Sequence, residues 1–434
     1  MTAGPRSAVI DVPAPGIGRP RAIAPALLMA MLVAVYVLHM LDRQIIAILL
    51  EPLRRELVLN DAQLGLLSGL AYSGAAIVTG IPLGMLADRV SRKKLLLSAL
   101  TLWSLLTAAC GMAASYPMLL LARMGVGAAE SGAPPACLSM IGDAFPAEKR
   151  GRATSVFYAS GGIGTILSFT LGAWIATTWG WRWAFLAAAV PGLILAVLLA
   201  IFLVEPAREQ RAHTDLSGDD AGVLATLRQQ PLLILLIAAM ALGTVGPTAM
   251  GTWASSLLIR DHGLSLQTAG LVVAMSSGII GPLGQLTGGL FGDRLAARAP
   301  GRQMLFAAVG SLIGAAVASA GILSGITAFT IAGLWCGAFG MMFCIGPSYS
   351  SLITLAPVGR RATILAVTTV VANLAAYGGG PVLVGIVSDA IGGARSLTHA
   401  IPVALIAPVI SAGLFVLIAR HMARTERQRL EPQF

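Results

Sequence analysis

Apolar stretches of membrane-spanning length recur along this chain, and few folds can accommodate them. Twelve can be marked, at 25–50, 62–87, 93–114, 117–142, 151–178, 183–204, 231–259, 264–291, 303–323, 326–355, 361–388 and 398–421. A helix rises about 1.5 Å per residue, so about 20 residues cross the roughly 30 Å hydrocarbon layer. No water is available there, so every backbone N–H and C=O must be paired within the protein. Runs this long and uniformly apolar read as helices. The expected fold is an all-α polytopic membrane protein with twelve transmembrane helices. Only 11% of residues are charged, against about 25% in soluble domains.

Most connectors are short. The longest, 205–230, is polar and carries Glu205, Glu209, Asp215, Asp219 and Asp220. It divides the chain into a tail at 1–24, a six-helix bundle at 25–204, the linker at 205–230, a second six-helix bundle at 231–421 and a tail at 422–434. The first tail holds four prolines and no apolar run, so it reads as disordered and not as a signal peptide.

The net charge of +10 is a topology signal. Only Arg54, Arg55, Arg182, Arg260 and Arg395 fall in connectors on the side opposite the termini. Arg43 and Arg123 lie inside spans, and the other 22 of the 29 basic residues share the side of the termini. The excess of Lys and Arg on the cytoplasmic side places both termini in the cytoplasm. The expected location is a bacterial inner (plasma) membrane.

Small residues at four-residue spacing, such as Gly65/Gly69 and Gly284/Gly288/Gly292, mark close helix packing in lipid. The four cysteines sit in apolar runs without metal or redox spacing and read as small core residues. The histidines are scattered and no nucleotide-binding glycine loop is present, so no metal, cofactor or nucleic-acid partner is expected.

The halves repeat. GMLADRVSRKK at 84–94 follows the second span, and GLFGDRLAARAPGR at 289–302 follows the eighth. Both read G-x-x-x-D-R with further basic residues, as an internal duplication requires. The motif resembles the signature loop of the major facilitator superfamily, with Ser91 where glycine is usual. Three further stretches narrow the resemblance: DRQ at 42–44, RMGVGAAESGAPPACLSMIGDAFPAEKRGRA at 123–153, and GGGPVLVGIVSD at 378–389. Together they resemble the Spinster-like branch, whose eukaryotic members export sphingoid and lysophospholipid molecules. They resemble the organic-anion/proton symporter branch less closely. The span 5 stretch SGGIGTILSFTLGAW at 160–174 lacks the Gly-Pro motif of multidrug antiporters.

Five ionisable residues lie deep in spans: His39, Asp42, Arg43, Arg123 and Glu130. A charge in mid-membrane costs roughly 2.5–3.5 kcal/mol on insertion scales, so its retention points to function. His39 shares a helix face with Asp42 and Arg43, and Arg123 lies two turns from Glu130, about 10 Å along the axis. In the superfamily spans 1 and 4 line the central cavity. The resemblance then implies that Asp42 and Glu130 carry protons, while Arg43, Arg123 and His39 tune them or hold an anionic head group.

The corresponding spans 7 and 10 carry no charge in their central stretches. They offer Trp253, Phe339, Met341, Met342, Phe343 and Tyr349, and span 11 adds Asn373 and Tyr377. The expected cavity is charged on one wall and apolar on the other. By resemblance, Asp88 caps a helix of the other half near Arg360, Arg89 or Arg92 pairs with Asp143, and Asp293 repeats the motif in the second half. These contacts would gate the cytoplasmic side and lock the outward-facing state.

The reading is a proton-coupled transporter of an amphipathic, lipid-like molecule, with room for an anionic head group, working as a monomer by alternating access. The alternative in the same class is symport of a small organic anion. An uncoupled facilitator or scramblase, a membrane enzyme and a binding-only sensor are the competitors.

Overall fold

A computed structural model describes residues 24–206, 220–357 and 360–430, and among these every regular element is helical. The first half comprises span 1 (Pro25–Leu57), span 2 (Asp61–Leu86), span 3 (Arg92–Gly111), span 4, span 5 (Glu148–Trp179) and span 6 (Trp181–Phe202). The second half comprises span 7 (Pro231–Arg260), span 8 (Leu266–Ala296), span 9 (Gly301–Leu323), span 10 (Thr327–Leu355), span 11 (Thr363–Ile391) and span 12 (Ser396–Arg424). These eleven helical stretches are long and apolar enough to cross a membrane.

Span 4 is the broken one. It consists of Tyr116–Glu130 and Ala133–Ala144. The cause is local: Pro134 and Pro135 have no N–H to return to the carbonyls of Glu130 and Ser131. The break therefore falls directly after the buried acid Glu130. Span 2 is also divided, into Asp61–Ser68 and Leu70–Arg89, at Gly69.

Helix starts follow the sequence. Asn60 and Gln63 form a reciprocal capping box at the start of span 2. Ser91, in place of the usual glycine, caps span 3 by accepting from the Lys94 N–H. Pro25 and Pro231 occupy the first helical position of spans 1 and 7. Gly180, Gly263, Gly325, Gly392 and Gly393 adopt positive φ, and all lie in turns at one end of the bundle. We call that end the far face. The other, which receives the described ends of the chain and the basic connectors, is the terminal face.

The expected tails and linker differ in part. Residues 1–23, 207–219 and 431–434 lie outside the described residues. Asp220–Gln229 is a helix within the linker, and the last helix, Ile406–Leu430, runs on through 422. The expected tail from 422 thus begins as the end of that helix.

The two halves meet along spans 1 and 7, 2 and 11, and 5 and 8. Two of these seams carry a π-helical turn in the second half, Ser276–Ile280 in span 8 and Leu374–Gly379 in span 11. Such turns insert a residue and re-aim side chains, often at functional sites. The span 11 turn presents Tyr377 at mid-bundle.

Candidate functional site

Mid-bundle geometry starts with Gly127 of span 4. A Cβ there would lie 2.3 Å from the Tyr72 carbonyl oxygen, so only glycine lets spans 2 and 4 approach this closely. One turn on, the Tyr72 hydroxyl donates to Glu130 Oε2. His39 Nδ1 lies 3.2 Å from the same oxygen, without the alignment of a hydrogen bond. Glu130 is 0% exposed, and its Oε1 has no partner among the described residues.

Asp42 is 2% exposed and forms no ion pair among the described residues; its Oδ1 is unpartnered. Thr107 of span 3 and Cys110 lie near its carboxyl. Arg123, 1% exposed, donates from Nη1 to the Asp42 backbone carbonyl at 3.1 Å, while its Nε and Nη2 have no partner. Its guanidinium carbon lies 5.2 Å from the Tyr72 ring centroid. His39, Asp42, Arg123 and Glu130 thus gather inside the first half, among spans 1, 3 and 4.

Arg43 points elsewhere. Its guanidinium lies over the Tyr377 ring, 3.8 Å from the centroid, and 5.5 Å from that of Tyr72. It makes no ion pair among the described residues, and its Nε is unpartnered. A half-buried guanidinium on an aromatic face, with donors unused, is suited to a carboxylate or phosphate. One arginine joins the acids, and the other spans the seam to the second half.

The second-half wall also differs from the expectation. A cavity of about 180 Å³ is lined by Thr244, Thr248, Gln285, Ser348, Tyr349, Thr369, Asn373 and Tyr377, with Met240, Met342, Ile345, Ala372 and Ala376 between them. Tyr349, Asn373 and Tyr377 line it. Trp253 does not: it is 0% exposed and its indole N–H donates to the Pro381 carbonyl at 3.0 Å. Phe339 packs on Phe343, with ring centroids 4.9 Å apart, Phe343 stacks on Phe306 at 5.3 Å, and neither Phe339 nor Phe343 lines this cavity. Gly284 and Gly288 bring span 8 against the backbone of these two phenylalanines, which turns them into packing residues. The wall is neutral and amphipathic, with hydroxyls and amides among Met, Ile and Ala side chains.

At the terminal face, Arg92 is the residue that meets Asp143. It also donates from Nε to Glu205 at 3.1 Å, to Ser139 Oγ at 3.0 Å and to the Pro206 carbonyl at 2.8 Å. These contacts tie spans 3, 4 and 6 within one half. Glu205 further accepts from Ser91 Oγ at 2.5 Å and from the backbone N–H groups of Arg92 and Lys93. Burial works to raise its pKa, but these hydrogen bonds outweigh it and hold the carboxyl at about 2. Arg89 and Asp293 are exposed, and the Asp88 side chain lies outside the described residues. Arg360 donates to Thr226 Oγ1.

Sequence reading missed Tyr72, Thr107, Gln285 and the hydroxyls of the second-half wall. A tyrosine three residues after the Gly69 break was the available signal for the first. Threonine and serine in apolar helices usually return their hydroxyls to the preceding turn, so the others carried none.

Comparison with known proteins agrees with this architecture. The profile of the Major Facilitator Superfamily matches residues 32–380. The chain belongs to that superfamily. It is 28% identical to Protein spinster homolog 1 of Xenopus tropicalis over 433 residues, covering 91% of this chain and 80% of the relative. It is 28% identical over 263 residues to an MFS-type efflux pump of Mycolicibacterium smegmatis, spanning 61% of each chain. A crystal structure of a bacterial homologue of the human lysosomal transporter Spinster, inward-facing and unoccupied, superposes with a TM-score of 0.82 at 24% identity, over 92% of this chain and 98% of that one. Within that superfamily the chain is an integral membrane transporter, and it is similar to proteins of the Spinster type.

Proposed function

We propose that this superfamily member is a proton-coupled secondary transporter of an amphipathic organic anion. The observation that carries the reading is the pair Asp42 and Glu130: two carboxyls at 2% and 0% exposure, neither paired with an arginine or lysine among the described residues, Glu130 having only His39 at 3.2 Å and the Tyr72 hydroxyl beside it. Burying a carboxylate without a full cationic partner is costly, and exchange of a proton is the way a carboxyl relieves that cost. A state that brings water or Arg123 closer would release the proton. Asp42 and Glu130 are the proton carriers in this reading, and Arg123, Tyr72 and His39 set when they ionise. Arg43 takes the anionic head group, displacing the Tyr377 ring. The apolar part of the substrate lies along the Met and Ile side chains of the second-half wall.

The two halves rock about the central site, so that it faces each side of the membrane in turn. Both termini lie in the cytoplasm, the membrane is a bacterial inner membrane, and one chain suffices. A second reading, transport of a small hydroxylated organic anion, is favoured by one observation: hydroxyls and amides, Thr248, Gln285, Ser348 and Asn373 among them, line a small second-half cavity.

The test is substrate-induced proton movement in proteoliposomes carrying an internal pH dye, with lysophospholipids, sphingoid bases and sugar acids as probes. A pH change evoked by one probe class, reduced by Asp42→Asn or Glu130→Gln and abolished by the double substitution, is expected. Probe flux with no proton movement would remove the coupling.

A further inference from the structure

The far face holds a second set of charges that the central site does not use. Arg260, the last residue of span 7, reaches into the first half. Its Nε is 2.5 Å from Glu51 Oε2 in span 1, and its Nη1 is 2.9 Å from the Asp61 carboxylate at the start of span 2. Its side chain is 11% exposed, and those of Glu51 and Asp61 are 3% and 7%. Glu51 also keeps Arg55 at 3.0 Å and Arg54 at 3.4 Å on its own helix.

A reverse contact lies beside it. Asp389 of span 11 accepts from the backbone N–H groups of Asp61 and Ala62 at 2.9 and 2.8 Å. A second-half carboxylate thereby caps the N-terminus of a first-half helix, where unpaired N–H groups and the helix dipole favour negative charge. Ser388 adds a hydrogen bond of 2.6 Å to Asp61 Oδ2. The second half thus holds the first with both a cation, Arg260, and an anion, Asp389.

Below these charges the seam is closed by backbone contact. A Cβ on Gly65 or Gly69 would come within 2.5 Å of the Pro381 or Tyr377 carbonyl oxygen, and one on Gly385 within 2.2 Å of the Asp61 carbonyl oxygen. Above them a cavity of about 640 Å³, lined in part by Arg54, Arg55, Glu51 and Asp389, brings solution up to the cluster. Parting the halves at this face breaks all of these contacts together and hydrates the charges.

We propose that Arg260, Glu51, Asp61 and Asp389 form an ionic latch that holds the far face shut and sets how the chain divides between its two access states. The proposal rests on the reading that the halves rock about a central site. A latch of this kind adds stability to one state only. Weakening it shifts the population without touching the central site.

The experiment uses the full chain in membrane vesicles, with Thr248→Cys in the central cavity and Cys336→Ser to remove the exposed native thiol. A membrane-impermeant maleimide is added from one face at a time. Arg260→Gln is expected to raise the labelling rate from the far face about tenfold, the population shift for about 1.4 kcal/mol, and to lower labelling from the terminal face. Asp389→Asn gives a smaller shift of the same sign, Arg260→Lys an intermediate one, and Arg395→Gln, outside the cluster, none. An unchanged far-face rate in both Arg260→Gln and Asp389→Asn overturns the latch. So does a rise from both faces that Arg260→Lys fails to reverse, because that is loss of packing. Labelling needs no transported substrate. Shifted labelling in a chain without flux would leave the latch and remove the transport reading; flux with unshifted labelling would do the opposite.

Discussion

Replacing Arg92 with alanine should destabilise the first half by about 3 kcal/mol or more, and the deficit should shrink in acid. Arg92 is 1% exposed and faces Asp143, whose side chain is 8% exposed. Removing one partner of a buried pair costs about 3–5 kcal/mol, because the other charge is left uncompensated. Glu205 adds less. Its carboxyl stands at about 2 instead of 4.5, worth ~3 kcal/mol at ~1.4 kcal/mol per pH unit. Its side chain is 23% exposed and three of its donors survive the substitution, so about 1 kcal/mol is a fair share for Arg92 after screening. The sign follows from the depressed pKa. The Glu205 contribution is complete above about pH 4.5, declines as pH falls, and is gone below about 2. The assay is thermal unfolding in detergent, followed by a dye that reacts with the buried thiols of Cys110, Cys137 and Cys344 as they become exposed. The apparent Tm of Arg92→Ala should lie about 5 °C or more below wild type at pH 7, and the gap should narrow between pH 4.5 and the lowest pH the protein tolerates. A gap under about 1 °C at pH 7, or one that widens in acid, would refute the reasoning.

Two other substitutions separate substrate contact from packing. Arg43→Lys keeps the charge but loses the planar face on Tyr377 and the paired donors; KM for an anionic probe should rise about tenfold or more, with apparent Tm unchanged within about 2 °C. Trp253→Phe removes the N–H bond to Pro381 and part of a fully buried ring; it should cost about 1–3 kcal/mol of stability while KM stays within about twofold, as measured by the same unfolding and flux assays.

Hydrophobic run length and the bias of basic residues made the spans and their halves legible, because lipid punishes an unpaired backbone or charge so heavily. The same cost singled out Asp42, Glu130, Arg43 and Arg123. What the sequence could not give was direction around each helix. Asp42 and Arg43 are adjacent residues, yet one turns into the first half and the other onto Tyr377. That turn of about 100° decides which of them a substrate can touch. Trp253 was misplaced for the same reason: on an all-apolar helix the cavity side and the packed side have the same composition, and only the Pro381 carbonyl distinguishes them. The far-face cluster was hidden differently. Glu51, Asp61, Arg260 and Asp389 sit at span ends, where charges are ordinary, and only folding brings residues some 200 to 330 positions apart into contact.

The most direct measurement is the steady-state accumulation of an identified probe anion across proteoliposomes held at a pH difference of one unit. Each coupled proton supports about a tenfold concentration ratio per pH unit, since one unit is worth about 1.4 kcal/mol. If Asp42 and Glu130 each carry a proton, the wild type should approach a hundredfold ratio at zero membrane potential on this arithmetic. Asp42→Asn or Glu130→Gln should lower it to about tenfold, and the double substitution to unity. A ratio of unity in the wild type, or one that the double substitution leaves intact, would contradict the assignment of these two buried carboxyls as the proton carriers.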